Sequence, residues 1–223
     1  MGAVLPCSDG PSAMAKGYDA GARAAMALGA HGTTAAWARK PPETGDVLDA
    51  IRHAQETRIV GYKVALAEIR RGEKKSHWIW YVWPAMARVR DTSKPEFSLP
   101  DFSAAIAYLQ CPVLSARLLE ITAAAEKHLR AGRPAWEVLG SSVDAKKFHE
   151  SMTFFAVAAV EWGDWQQART FVAALNALDP PGVLDATTMG VLAKDGALQK
   201  CMGVETVDQL PVPRIPSCLA EEN

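Results

Sequence analysis

No two of the four cysteines, Cys7, Cys111, Cys201 and Cys218, stand within metal-ligand spacing of each other, and no Cys-x-x-Cys occurs. A disulfide framework and a structural zinc site are therefore not expected, and a reducing compartment is favoured. Long apolar runs are missing too. The longest, Met152–Val160, has nine residues, well short of the ~20 that span a bilayer. Neither sign of charge is in excess: 24 basic and 25 acidic residues leave a formal net charge of −1, which gives no footprint for nucleic acid or an anionic membrane. No short basic patch followed by an apolar run opens the chain, as a secretory signal would require. Pro6 stands where N-myristoylation wants Ser or Thr. There is no P-loop, no Gly-x-Gly-x-x-Gly opening a helix after a strand, no His-Glu-x-x-His and no EF-hand loop. ATPase, Rossmann dehydrogenase, zinc protease and calcium-sensor readings thereby lose their usual support. No stretch alternates Val, Ile and Thr with polar residues as a sheet needs, and there is no internal repeat.

What is present is a chain of 223 residues, 49% of them hydrophobic, long enough to bury a core without covalent staples. Residues 1–43 are rich in Gly, Ala, Ser and Pro and cannot offset their own ordering entropy, so they are expected to form a disordered extension closed by Pro41-Pro42. Its Arg23, Arg39 and Lys40 leave organelle targeting as an alternative to the expected cytoplasmic location, against which Asp9 and Asp19 count. From residue 44 to 195 the pattern predicts one compact, multi-helix, all-α domain. Val47, Ile51 and Ala54, then Ile59, Tyr62, Val64, Leu66 and Ile69, fall at helical spacing. Gly72 is placed to end that helix, and Ser76 to cap a short one running to Trp83, with a buried strand as the rival. Capping patterns at Ser98–Asp101, Ser141–Asp144, Asp164–Gln167 and Asp185 open further helices, and Pro112 suits a first helical position. The longest, from Ser142 to about Trp162, is expected to be central. From Gly196 to residue 223 the prolines Pro211, Pro213 and Pro216 point to an extended or disordered tail.

The chain is organised around Gly72–Pro84, Gly-Glu-Lys-Lys-Ser-His-Trp-Ile-Trp-Tyr-Val-Trp-Pro, which holds three of the seven tryptophans. Lys74 offers a point charge, Ser76 a small donor and His77 a group that titrates near neutrality. At a helix start with unpaired N–H groups they would suit a phosphate or carboxylate. The plainer alternative makes Ser76 a cap and His77 a wedge beside the tryptophans. Trp78 could stack on a ring, or all three indoles could be core. Asp144, Lys147 and Ser151 lie at i, i+3 and i+7 and share one helix face. That face is either a solvated ion pair or the far wall of a cleft that includes Lys74 and His77. His149 and Glu150 read as solvated.

These segments carry a family resemblance. Gly72-Glu-Lys74-Lys-Ser76-His77-Trp78-Ile-Trp80-Tyr-Val-Trp-Pro84 resembles the signature of the DUF1810 family. Two further segments agree: Ala107-Tyr108-Leu109 followed by Pro112, Leu114, Arg117 and Leu118, and Asp144-x-x-Lys147-x-x-x-Ser151-Met152-Thr153-x-Phe155. The resemblance runs from about Asp46 to Leu192 and implies a mainly α-helical domain with no established reaction, sometimes described as calpastatin-like. Arg117 matches the family pattern and would add a bidentate anion contact. The chain departs from that pattern at Ala85, where the family usually has Gln, over Ala87–Arg90, where it has a Gly-Leu-Gly loop, and at Cys111, where it has His. A ligand site lined by that loop would be altered here.

The expectation is a domain that binds a small anionic or nucleotide-like molecule through Lys74, Ser76, His77, Trp78, Arg117, Asp144, Lys147 and Ser151, with no metal and no cofactor. A catalytic version would use His77 as acid or base and Lys74 as charge stabiliser, in a hydrolase or glycosidase acting on an ADP-ribose-like ligand. The rival is a non-catalytic interaction domain whose aromatic segment is core. No nucleic-acid partner and no membrane span are expected.

Overall fold

The computed structural model describes residues 44–213; the readings made for residues 1–43 and 214–223 lie outside it. In chain order the α-helices are α1 (Thr44–Thr57), α2 (Tyr62–Arg70), α3 (Ile79–Val82), α4 (Phe102–Gln110), α5 (Pro112–Arg130), α6 (Ala135–Val138), α7 (Ser142–Trp162), α8 (Trp165–Asn176) and α9 (Ala186–Lys194). Short 3-10 turns occur at Pro95–Phe97 and Val207–Gln209, and no strand is found among the described residues beyond two isolated bridges. The all-α expectation holds.

Local chemistry sets the helix ends. The carboxylate of Asp101 accepts from the Ala104 N–H and starts α4, the Ser141 hydroxyl accepts from Asp144 N–H at α7, and Asp164 and Asp185 cap α8 and α9 in the same way. Pro112 opens α5 at the position where its missing N–H is not needed. Gly163 ends α7 at φ 91°, a conformation that glycine reaches without a Cβ penalty.

α7 is the hub. α4, α6, α8 and α9 all pack on it, while α5 joins α2, α4, α6 and α8. Every residue of α7 from Glu150 to Val160 is buried, because the helix has neighbours on all sides and needs no polar face there. Phe148, Phe154 and Phe155 with Trp83, Tyr108 and Phe171 form the aromatic centre. Phe155 stacks on Phe171 at 5.7 Å, and Trp83 meets Phe148 edge-on at 4.7 Å. Ile59 and Val64, placed on the apolar faces by their spacing, are instead exposed.

The folded region continues past Gly196, where the proline content had pointed to a tail. Leu198, Cys201, Val207 and Leu210 are buried. The reason is a clamp on the C-terminus of α7. The Glu161 carboxylate accepts the N–H groups of Gln199, Lys200 and Cys201 at 2.7–2.9 Å, and Lys200 Nζ donates to the Val160 and Glu161 carbonyls. A cation at a helix C-terminus satisfies both the dipole and the orphan carbonyls. No single helix among the described residues is long and apolar enough to cross a membrane; α4 and α5 reach that length only together, and they meet at 92°.

Candidate functional site

The lead-in to the tryptophans binds a carboxylate, and that carboxylate belongs to the protein. Ser76 does not cap α3, which begins at Ile79 with Trp78 in the capping position and no side-chain cap. The residues from Lys74 to Trp78 instead wrap around Glu68, near the end of α2. Oε2 of Glu68 accepts from Lys75 N–H at 2.9 Å, Ser76 N–H at 3.0 Å and Trp78 Nε1–H at 2.8 Å, and the Ser76 hydroxyl donates to Oε1. Burial would raise the Glu68 carboxyl pKa, but the hydrogen bonds from Ser76, Trp78 and the backbone outweigh it and hold the group below its ordinary value. The anion-binding chemistry read in Ser76 is present, and it is already satisfied internally.

Trp78 is fully buried, with Trp83 5.4 Å from its ring on one side and the Lys74 ammonium 5.2 Å from it on another. It is core rather than a stacking platform. Trp83 is core as well and donates from Nε1 to Thr122 Oγ1 at 3.1 Å. His77 is exposed, and among the described residues its ring has no hydrogen-bond partner.

Lys74 does meet the face of α7. Its Nζ lies 2.6 Å from Asp144 Oδ2, and Lys147 Nζ lies 3.1 Å from Oδ1 of the same carboxylate. Burial would raise the Asp144 carboxyl pKa, but the hydrogen bonds and charges of Lys74 and then Lys147 hold it below the ordinary value. The Lys74 backbone is pinned in turn: its N–H donates to the Val138 carbonyl at 2.9 Å, and its carbonyl packs against Gly140, whose φ is 79°. A Cβ on Gly140 would overlap that carbonyl oxygen. Ser151 is on the same helix face but fully buried, donating to the Pro84 carbonyl at 2.9 Å and fixing the end of the aromatic segment. Arg117 belongs elsewhere. It donates to Gln55 and Glu56 of α1 and stacks over Tyr62. The structure thus joins Lys74, Asp144 and Lys147, and separates His77, Trp78 and Arg117 from them in role.

Beside Lys147 lies a narrow cleft that encloses about 30 Å³, room for about one or two waters. Its walls are mostly apolar, from Ile79, Trp80, Trp83, Ala85, Met86 and Phe97, with Arg90, Thr92, Ser98 and Lys147 as the polar groups. Trp80 is half-buried, and the Lys147 ammonium sits 4.7 Å from its ring centroid. One wall is the loop after Pro84. It is closed by a bridge in which Ala87 N–H donates to the Leu99 carbonyl at 2.9 Å and Leu99 N–H to the Ala85 carbonyl at 3.0 Å. Arg90 ties that loop to α7 through two parallel bonds of 2.8 and 2.7 Å to Glu150, whose side chain is 2% exposed. Glu150 is therefore not solvated, and His149, partly buried, has Nε2 2.7 Å from the Val183 carbonyl. Glu68, Arg90 and Glu150 were missed as partners of the site. The available signal was an acid at an inward helical position, Glu68 between Ala65 and Ile69.

The fold and the site together define an all-helical domain with a small, donor-lined cleft at the edge of its aromatic core. The chain belongs to the family described as protein of unknown function (DUF1810), whose pattern matches residues 46–179. A conserved hypothetical protein of Mycobacterium tuberculosis, known from a crystal structure at 1.38 Å, is 30% identical to it. The match covers 66% of this chain and 97% of that one, with a TM-score of 0.57. No curated protein matches the chain.

Proposed function

We propose that the domain binds a small anionic molecule in the cleft beside Lys147 and Trp80. One observation carries this reading. No carboxylate lines the cleft, whereas Lys147, Arg90 and Ser98 do. Lys147 spends one contact on Asp144, Arg90 uses Nε and one terminal nitrogen on Glu150, and the Ser98 hydroxyl has no side-chain partner among the described residues. Apolar walls with a few convergent donors are the chemistry of a small-molecule site, and the narrow enclosed space, about 30 Å³, restricts the occupant to a small anion held at the cleft's mouth. Lys74 and Asp144 act behind the wall, fixing the Lys147 ammonium over Trp80. His77 is not among the lining residues, so the reading is one of binding rather than acid–base catalysis, and the hydrolase version on an ADP-ribose-like ligand has no group positioned for it. The rival interaction reading shares the buried Trp78 and Trp83 but assigns the cleft no occupant.

The test is thermal unfolding of the full chain with a panel of organic and inorganic anions. A ligand at ten times its Kd stabilises by about 1.4 kcal/mol and raises Tm by about 3–6 °C for a domain of this size. The shift should vanish in Lys147→Met. If no anion at 10 mM (about the limit for ligands of this size) moves Tm more than sodium chloride of equal ionic strength, the binding reading is wrong.

A further inference from the structure

We propose that the domain has a second binding site, for a small organic cation, an ammonium group on an apolar body, in a groove walled by residues of α5, α6, α7 and the chain after α8. The proposal does not depend on the anion reading above.

The groove has a volume of about 480 Å³, within the range of small-molecule sites. α5 ends at Arg130, Gly132 turns the chain at φ 85°, and Pro134 leads into the short α6. Leu129, Pro134, Ala145 and Leu178 give the groove apolar walls. Trp136 lines it too, and is 60% exposed. Val138, two residues on, is fully buried and anchors α6, so the indole is held at the groove without belonging to the core. Trp78, Trp80 and Trp83 each have a ring or an ammonium group beside them. The Trp136 ring has neither among the described residues, and its Nε1–H has no acceptor there.

Charge decides the class of ligand. Arg133 lines the groove, but its charge is already met: Nη2 donates to Glu137, and Nη1 lies against Gly72. The neighbouring hollow, which shares Ala177 as a wall, holds a second matched pair, Arg130 and Glu126 at 3.2 Å. Asp179 is different. It lines the groove, and its carboxylate has no hydrogen bond and no ion pair among the described residues.

The helix ends add to the same imbalance. α8 has no basic residue in its last turn, and Ala177 and Leu178 at that end line the groove, so the partial negative charge of its C-terminus is unanswered. The other two long-helix ends are answered in place. Lys127, His128 and Arg130 stand in the last turn of α5, and the Ser141 cap and Asp144 stand at the start of α7. The groove is therefore short of one positive charge. An ammonium group meets Asp179 and the end of α8, and the face of an exposed indole attracts it as well. The Ser142 hydroxyl, unpartnered among the described residues, is a further acceptor. An anion would meet Asp179 with no unmatched cation among the lining residues, and a neutral molecule would gain nothing from either charge.

The experiment is calorimetric titration of the full-length chain at pH 7 with phenethylamine, with its neutral isostere 2-phenylethanol, and with methylammonium, which lacks the apolar body. The expected result is a Kd of about 1 mM or tighter for phenethylamine and at least about tenfold weaker binding of the other two. Trp136→Ala and Asp179→Asn should each weaken phenethylamine at least about tenfold. Both side chains are exposed, so each variant should unfold within about 2 °C of wild type, which separates a lost site from a lost fold. Binding of 2-phenylethanol as tight as that of phenethylamine overturns the assignment of a cation. Binding of methylammonium as tight as that of phenethylamine overturns the apolar body. Phenethylamine binding that either variant leaves unchanged places the ligand elsewhere and overturns the site, and so does the absence of binding at 10 mM.

Discussion

Substituting Glu68 by Gln tests whether the lead-in to the tryptophans is organised by an internal anion. Gln keeps the shape and one carbonyl oxygen, so the three N–H donors from Lys75, Ser76 and Trp78 still find an acceptor. What is lost is the charge. Hydrogen bonds to charged groups contribute about 1.5–3 kcal/mol each against about 1 for neutral ones. Bonds that share one oxygen are not additive, so we expect a loss of about 2 kcal/mol at pH 7, or about 4–8 °C in Tm. Glu68→Ala, which leaves buried donors unpaired, should cost about 4 kcal/mol. The charge also fixes the sign of the pH dependence. The folded-state pKa of Glu68 lies below its ordinary value of 4.5, so the folded protein holds fewer protons there than the unfolded chain. Its contribution is complete above the ordinary value and fades as pH falls towards the folded pKa. Denaturant unfolding of wild type and Glu68→Gln at pH 7 and pH 3 should therefore give a difference that shrinks at pH 3, which lies below the ordinary value of 4.5 at which the carboxyl of the unfolded chain takes up its proton. A difference of the same size at both pH values would mean that the carboxylate charge does not hold the segment, and the reasoning would fail.

Three further outcomes follow from the packing. Gly140→Ala puts a Cβ on a residue at φ 79° and against the Lys74 carbonyl, and should destabilise by about 3 kcal/mol or more, with Tm as the readout. Arg90→Met leaves the Glu150 carboxylate buried and unpaired, a loss of about 3–5 kcal/mol, while the double variant Arg90→Met with Glu150→Met should recover most of it; a double variant no better than the single would refute the pairing. Burial, and then the neighbouring Glu161 carboxylate, pushes the Cys201 thiol up to about 12, so site-resolved mass spectrometry should find Cys201 unmodified by a thiol reagent at pH 8 in the native protein and modified once unfolded.

The helices were legible because their ends are written locally. Asp101, Ser141, Asp164 and Asp185 each cap the helix they precede in sequence, and the three-residue reach of a cap does not depend on tertiary structure. The pairing of Lys74 with the Asp144–Lys147 face was legible as a meeting of two motif segments. What Ser76 binds was not, since its partner comes from the preceding helix and a sequence pattern cannot separate a donor aimed at a ligand from one aimed at a buried acid. Glu150 misled for a related reason. The amphipathic rule assigns acids to the wet face, and α7 has no wet face where Glu150 lies. The packed stretch after Gly196 was masked by its prolines, which describe backbone shape and are silent on whether Leu198 and Leu210 find a core.

The enclosure of α7 has a kinetic meaning. A helix surrounded by α4, α6, α8 and α9 cannot release its amide hydrogens by fraying or by lifting one neighbour away. The amides from Ser151 to Val160 should exchange with solvent deuterium only when the whole domain opens, and their slowest rates should report its global free energy. The Lys75 and Ser76 amides, held by Glu68 alone, should exchange through a cheaper local opening whose rate rises as that carboxylate protonates. One exchange experiment at two pH values would then read, from a single chain, the stability of the scaffold and the separate stability of the segment that shapes its cleft.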